Sequence, residues 1–294
     1  MNIAVFSDTH GRILLAFLLC ARWERETGER IDAILQAGDL GAYPTAQGMD
    51  RATIQHARRD PAELGFSTDF TTYREDVARA LERTQCPLIF VRGNHEDHAW
   101  LDQLEQQSDG PLFPVDDYQR IHCLKTGIPF TLRASDGSGE SLMLLGIGRV
   151  GPPIGASDPR KPKYIQEYEE ERLYNLGSLS LDVLLTHDVP LHSVKPYSGM
   201  DEIRLILDAY KPRYHFYGHT EEPYCEHLDS NGVTTSCRLA DLNWQDEITR
   251  GRLSPDVMGI LRWRGPGSAT FEPVRAPWLD DYNAWNWQEW MRRE

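Results

Sequence analysis

Residues 88–96 read Leu-Ile-Phe-Val-Arg-Gly-Asn-His-Glu, a short apolar run followed by Gly93-Asn94-His95-Glu96, four special residues with no ordinary packing role. An uninterrupted apolar run bounded by polar residues predicts a strand buried on both faces. The same arrangement recurs along the chain. Ile3 to Phe6 leads into Asp8-Thr9-His10-Gly11, Ile31 to Leu35 into Gly38-Asp39-Leu40-Gly41, Val183 to Leu185 into Thr186-His187-Asp188, and Tyr214 to Tyr217 into Gly218-His219-Thr220-Glu221. Strands that end side by side converge their tips, and every tip here supplies a hard oxygen or an imidazole nitrogen. Asp, His and Asn without cysteine form a ligand set for one or two divalent ions rather than for a structural zinc. Period-two alternation puts Asp8 and His10 on the same side. Taken singly, Asp8-x-His10 also reads as a capped turn and Asp39 as a turn aspartate; Gly93 to Glu96, together with the His187 and His219 tips, selects the metal site.

The clusters run from residue 8 to residue 221 of 294, so most of the chain cooperates in one site. This predicts a single catalytic domain, residues 1–262, with a C-terminal extension over 263–294. Helices interleaved with the early strands, and meanders later, predict an α/β fold in which two sheets form a β-sandwich flanked by helices. Residues 43–69 are punctuated by Pro44, Gly48, Pro61 and Gly65 and read as a loop-rich lid. Helices are expected over 11–26, 70–83, 164–176 and 199–210, and the late strands 233–239, 257–263 and 269–274 are expected to be antiparallel. The last stretch holds Trp263, Trp278, Trp285, Trp287 and Trp290. It is expected to pack back over the sheets, with a partner-binding or dimerising tail as the alternative.

With 31 basic and 45 acidic residues the net charge is −14. That disfavours long nucleic acid, whose affinity comes mainly from Lys and Arg, and restricts a nucleic-acid substrate to a short one or to local patches such as Arg58-Arg59 and Arg160, Lys161 and Lys163. The five cysteines include no Cys-x-x-Cys and point to a reduced, cytoplasmic setting. The apolar stretch 13–21 is too short to span a membrane, and no membrane partner is expected.

The order Asp-x-His, Gly-Asp, Gly-Asn-His-Glu, Thr-His and Gly-His resembles the calcineurin-like metallophosphoesterase superfamily over residues 1–225. The resemblance implies two divalent ions, manganese before iron, magnesium or zinc. Asp8, His10 and Asp39 would hold the first, and Asp39, Asn94, His187 and His219 the second, so that Asp39 bridges them. Cations about 3.5–4 Å apart can share a hydroxide that attacks a phosphomonoester or phosphodiester. His95 would protonate the leaving oxygen and Arg92 would contact the phosphate. The last motif usually reads Gly-His-x-His, and here Glu221 replaces the second His. Direct ligation by Glu221, ligation through water and a weak first site are all open; direct ligation, with a preference for harder ions, is the expectation. His56 in the insertion and His192 after the fourth tip are candidate substrate contacts. His98, His122, His215 and His227 lie off the tips and read as surface or satisfied polar groups.

Two alternatives accompany this expectation. RNA lariat debranching enzymes share a Tyr-rich insertion, an Asn-His-Glu motif and a segment similar to Leu184-Leu185-Thr186-His187-Asp188, which points to Tyr73 as part of a recognition loop; the net charge and Asp8 depart from that pattern. The phosphoesterase-fold scaffold of the retromer coat offers a non-enzymatic precedent, against which stands the retention of His95 and the other motif residues.

Overall fold

The computed structural model describes residues 1–191, 199–220, 223–245 and 251–291. In chain order the strands and helices are β1 (Asn2–Phe6), α1 (Ile13–Thr27), β2 (Ala33–Gln36), α2 (Arg51–Ala57), α3 (Gly65–Asp69), α4 (Glu75–Leu81), β3 (Leu88–Phe90), α5 (His98–Gln106), β4 (Leu112–Pro114), β5 (Ile121–Leu124), β6 (Phe130–Arg133) and β7 (Ser141–Ile147). There follow α6 (Glu167–Tyr174), β8 (Val183–Thr186), α7 (Asp201–Tyr210), β9 (Tyr214–Tyr217), β10 (Cys225–Leu228), β11 (Thr235–Arg238), β12 (Gly259–Arg262) and β13 (Thr270–Pro273).

Among the described residues the strands form two sheets, ordered β13-β12-β1-β2-β3-β5-β4 and β10-β11-β9-β8-β7-β6. Strands β1, β2, β3 and β5 run parallel, as do β7, β8, β9 and β11, with antiparallel strands at the margins. Side-chain alternation sorts each central strand between two layers. In β1, Ile3 and Val5 join the cluster between the sheets while Ala4 and Phe6 face α1; in β8, Val183 and Leu185 point between the sheets and Leu184 toward α6 and α7. The result is helix, sheet, sheet, helix. Because the parallel strands of both sheets present their C-terminal ends in the same region, the loops after β1, β2, β3, β8 and β9 meet there.

Three expectations need correction. Strand β11 is parallel to β9 rather than antiparallel, because the chain first runs out along the edge strand β10 and returns between β10 and β9. The insertion 43–69 is not loop-rich: it folds into α2, a short 3₁₀ turn over Pro61–Leu64, and α3. Asp50 caps α2 by accepting from the N–H groups of Ala52 and Thr53, and Asp60 caps the turn in front of Pro61. Phe66 and Phe70 then anchor the segment in the helix-side core. The expected helix over 70–83 accordingly starts later, at Glu75, since Phe70 terminates α3.

The C-terminal segment packs against α1 and α4: Tyr282 and Trp287 are buried, Trp278 and Trp290 lie against the same core, and Arg83 donates to the Met291 carbonyl at 2.7 Å. Trp285 stays exposed. The cysteines are unpaired, and among the described residues no helix is long and apolar enough to cross a membrane.

Candidate metal centre

Asp8 and His10 follow β1, Asp39 follows β2, Asn94 follows β3, His187 follows β8 and His219 follows β9. Asp8, His10, Asp39 and His219 all have positive φ, between 40° and 69°. Non-glycine residues adopt that conformation uncommonly, and these four all sit at the strand tips. Glycines permit the close approach: a Cβ on Gly93 would collide with the Asp39 carboxylate, and one on Gly218 with Ser7 and Asp8. The loops are fastened from beneath. Glu96, buried, accepts from the N–H groups of Leu40 at 2.8 Å and Ala42 at 2.6 Å, so the third motif holds the second in place.

Two gatherings of side chains result, Asp8 with His10 and Asp39, and Asp39 with His187 and His219, each with ligand atoms within 4.8 Å of one another. Asp39 belongs to both. Its Oδ1 lies 3.3 Å from His187 Nε2 and its Oδ2 4.0 Å from His10 Nε2, so one carboxylate faces each group with a different oxygen. Asn94 Oδ1 lies 3.1 Å from His187 Nε2 and joins the second group. His187 Nδ1 donates to the Ala37 carbonyl at 2.9 Å, which turns Nε2 toward Asp39. Asp, Asn and imidazole donors gathered this closely are of the type that fits divalent cations.

The electrostatics are those of buried charges pressed together. Burial pushes the Asp8 carboxyl up, and Asp241 and Asp39 add to the effect against the pull of His187. Burial also opposes ionised Asp39, but His187 beside it, with His95 and His10, outweighs burial and holds Asp39 well below the usual carboxylate range. Burial lowers His10 and His219 to about 4, so both rings are neutral at pH 7 and able to ligate.

His95 differs in kind. Its Nδ1 lies 2.8 Å from Asp50 Oδ2, and although burial opposes its charge, the bond to Asp50 and the field of Asp39 raise it to about 9. The backbone N–H of His95 donates to Asp39 Oδ1 at 2.8 Å, which seats the ring next to the paired groups. Asp50 is in turn held by the Tyr43 hydroxyl at 2.5 Å and by its capping bonds. Sequence reasoning missed Asp50: an Asp is a common helix cap, but nothing local in the sequence ties it to His95.

Asp8, His10, Asp39, Asn94, His95 and His219 line a cavity of about 500 Å³ whose other walls include α2 (Ala52, Thr53, His56) and Tyr224, Asn243 and Ser254. His56 stands exposed on its rim. Arg12 also lines it, bonded to Asp60 at 2.6 Å and thereby tying the insertion to the β1 tip. Glu221 and His192 lie outside the described residues. Tyr73 is exposed beside Tyr118 and is not part of the cavity lining.

The role expected for Arg92 is corrected. Phe90 faces the helix layer and Val91 the space between the sheets, so alternation turns residue 92 back toward α5 rather than into the cavity. Its guanidinium, 2% exposed, pairs with Asp102 and with Glu105 at 2.7 Å. Arg149 and Arg172 complete that network, at 2.6 Å from Asp102 and 2.7 Å from Glu105. Arg92 is a buried brace under the third motif.

A helix-flanked double sheet with paired carboxylate–imidazole groups at its strand tips defines a metal-binding phosphoesterase fold. Comparison with protein families agrees: the calcineurin-like phosphoesterase model matches residues 1–223, and the chain belongs to that family. Membership implies a hydrolase acting on phosphoester bonds, in a family that typically binds divalent metals. Curated proteins gave no match. Among solved structures, TT1561 of Thermus thermophilus is similar with a TM-score of 0.51 and 14% identity, covering 93% of this chain and 99% of its own. GAP50, the anchor in the inner membrane complex of Plasmodium, gives 0.47 at 10% identity over 99% and 94% of the two chains. Purple acid phosphatase PPD1 from yellow lupin gives 0.37 at 13% over 81% and 43%. At such identities the likeness to TT1561 concerns the fold alone.

Proposed function

We propose that the protein hydrolyses phosphomonoesters or phosphodiesters of small alcohols with the help of two divalent ions, manganese foremost. The observation that carries this is the division of the Asp39 carboxylate between two ligand groups, one oxygen toward His10 and the other toward His187. Asp8, His10 and Asp39 would hold one ion, and Asp39, Asn94, His187 and His219 the other, with Glu221 a further donor to the first. When bound, such a pair supplies a water of lowered pKa as nucleophile and neutralises the phosphate oxygens.

The chain's own part is positioning and proton transfer. Asp50 fixes the His95 ring through Nδ1 and favours its protonated form, so that Nε2 carries a proton available to the leaving oxygen. As the ester bond breaks, that proton passes to the departing alkoxide, the product leaves as an alcohol, and neutral His95 regains a proton from water. A cavity of about 500 Å³ is of the size that accepts a small molecule. Together with a net charge of −14, its acidic lining disfavours a long polyanion.

The test is hydrolysis of an aryl phosphate and an aryl phosphodiester by protein stripped with chelator and then reloaded with manganese. Activity should vanish and return. Turnover that persists unchanged in chelator would overturn the proposal.

A further inference from the structure

Asp8 and Asp39, even with Glu221 as the further donor proposed above, offset only part of the charge that two divalent ions would bring. Another carboxylate, Asp241, lines the same cavity without a part in the chemistry proposed above. After β11 the chain passes the end of β1: Asp241 pairs with Ser7 in a parallel bridge, and the Leu242 N–H donates to the Asp8 carbonyl at 3.2 Å. A segment from the second sheet is thereby stitched along the tip of the first, at the residue next to a ligand. Asp241 lines the same cavity as Asp8, His10, Asp39 and His219. It is not among the groups whose ligand atoms gather within 4.8 Å there, so it does not share an ion by direct contact in this arrangement.

We propose that Asp241 is a positioning residue of the first metal site: its negative charge raises the affinity of the Asp8, His10 and Asp39 group for a divalent cation without touching the ion. This rests on the two-ion function proposed above. In a cavity with low-dielectric walls, a carboxylate near a bound cation strengthens binding even across a gap, and loss of such an outer partner commonly weakens a metal about 10–100-fold. Asp256 also lines the cavity and belongs to neither ligand group, so it provides a control carboxylate of the same cavity.

The experiment titrates manganese into the metal-free full chain by calorimetry and counts manganese per chain after gel filtration. Asp241→Asn should weaken one of two binding steps about 10–100-fold and leave the other. Its metal-free melting temperature should match that of the wild type, and Asp241→Glu should restore both steps. Asp256→Asn should bind as the wild type does. Asp241→Ser removes the same charge and serves if the amide variant does not fold. Two wild-type steps in Asp241→Asn or Asp241→Ser would overturn the role of Asp241 alone, whereas a wild-type protein that binds no manganese would overturn the two-ion function itself.

Discussion

Replacing Asp50 with Asn separates proton donation from metal binding. The asparagine keeps the shape of the side chain and, through its oxygen, the cap on α2, so the insertion should stay folded. What it loses is the negative oxygen 2.8 Å from His95 Nδ1. A hydrogen bond to a charged group contributes about 1.5–3 kcal/mol. Asp50 is 37% exposed, so solvent screening confines the effect to the lower part of that range, about 1.5–2 kcal/mol. If the bond acts in full on the proton-transfer step, kcat falls about 10–30-fold. The pH profile gives the sign. Asp50 helps to raise His95 to about 9, so the proton-donating form persists up to that region and is lost above it. Without the carboxylate the alkaline limb of kcat moves to lower pH. The loss should also depend on the leaving group, being larger for an alkyl ester than for a nitrophenyl ester, because only a basic alkoxide needs the proton. The assay is steady-state turnover of both esters at saturating manganese, across pH, with metal content measured on the same samples. An unchanged alkaline limb with equal losses on the two esters would refute proton donation by His95 supported by Asp50.

Asp39→Asn should weaken both manganese steps together, read by calorimetry, because the two ligand groups share that carboxylate; a single step left at wild-type affinity would show that it is not shared. His95→Asn should keep both manganese ions and lose turnover more deeply than Asp50→Asn, and loss of metal in that variant would make His95 a ligand instead of an acid. Arg92→Met leaves Asp102 and Glu105 with one cation fewer in a buried network, which should cost about 3–5 kcal/mol and lower the melting temperature by roughly 6–10 °C, with KM little changed. A raised KM at an unaltered melting temperature would return Arg92 to the substrate.

The two-layer sheet and the strand tips were legible because their signals are local. Each apolar run ends at a chemically loaded turn, and burial on both faces leaves little else for such runs to be. Arg92 misled for a physical reason: proximity to Gly93 in sequence says nothing about direction, and alternation from Phe90 carries its long side chain away from the tip into Asp102 and Glu105. Asp50 and Asp241 were illegible for a different reason. Neither lies at the end of an apolar run, and each acquires its place from a contact far along the chain, Asp50 with His95 and Asp241 with Ser7. The insertion looked irregular because its helices are only seven and five residues long, too short for periodicity to register, while the caps at Asp50 and Asp60 that start its turns are single residues. A strand-tip site thus shows its candidate ligands in the sequence, since each tip is built locally. The groups proposed to tune them come from segments folded over the tips, and their place is fixed only once the sheets have brought distant loops together.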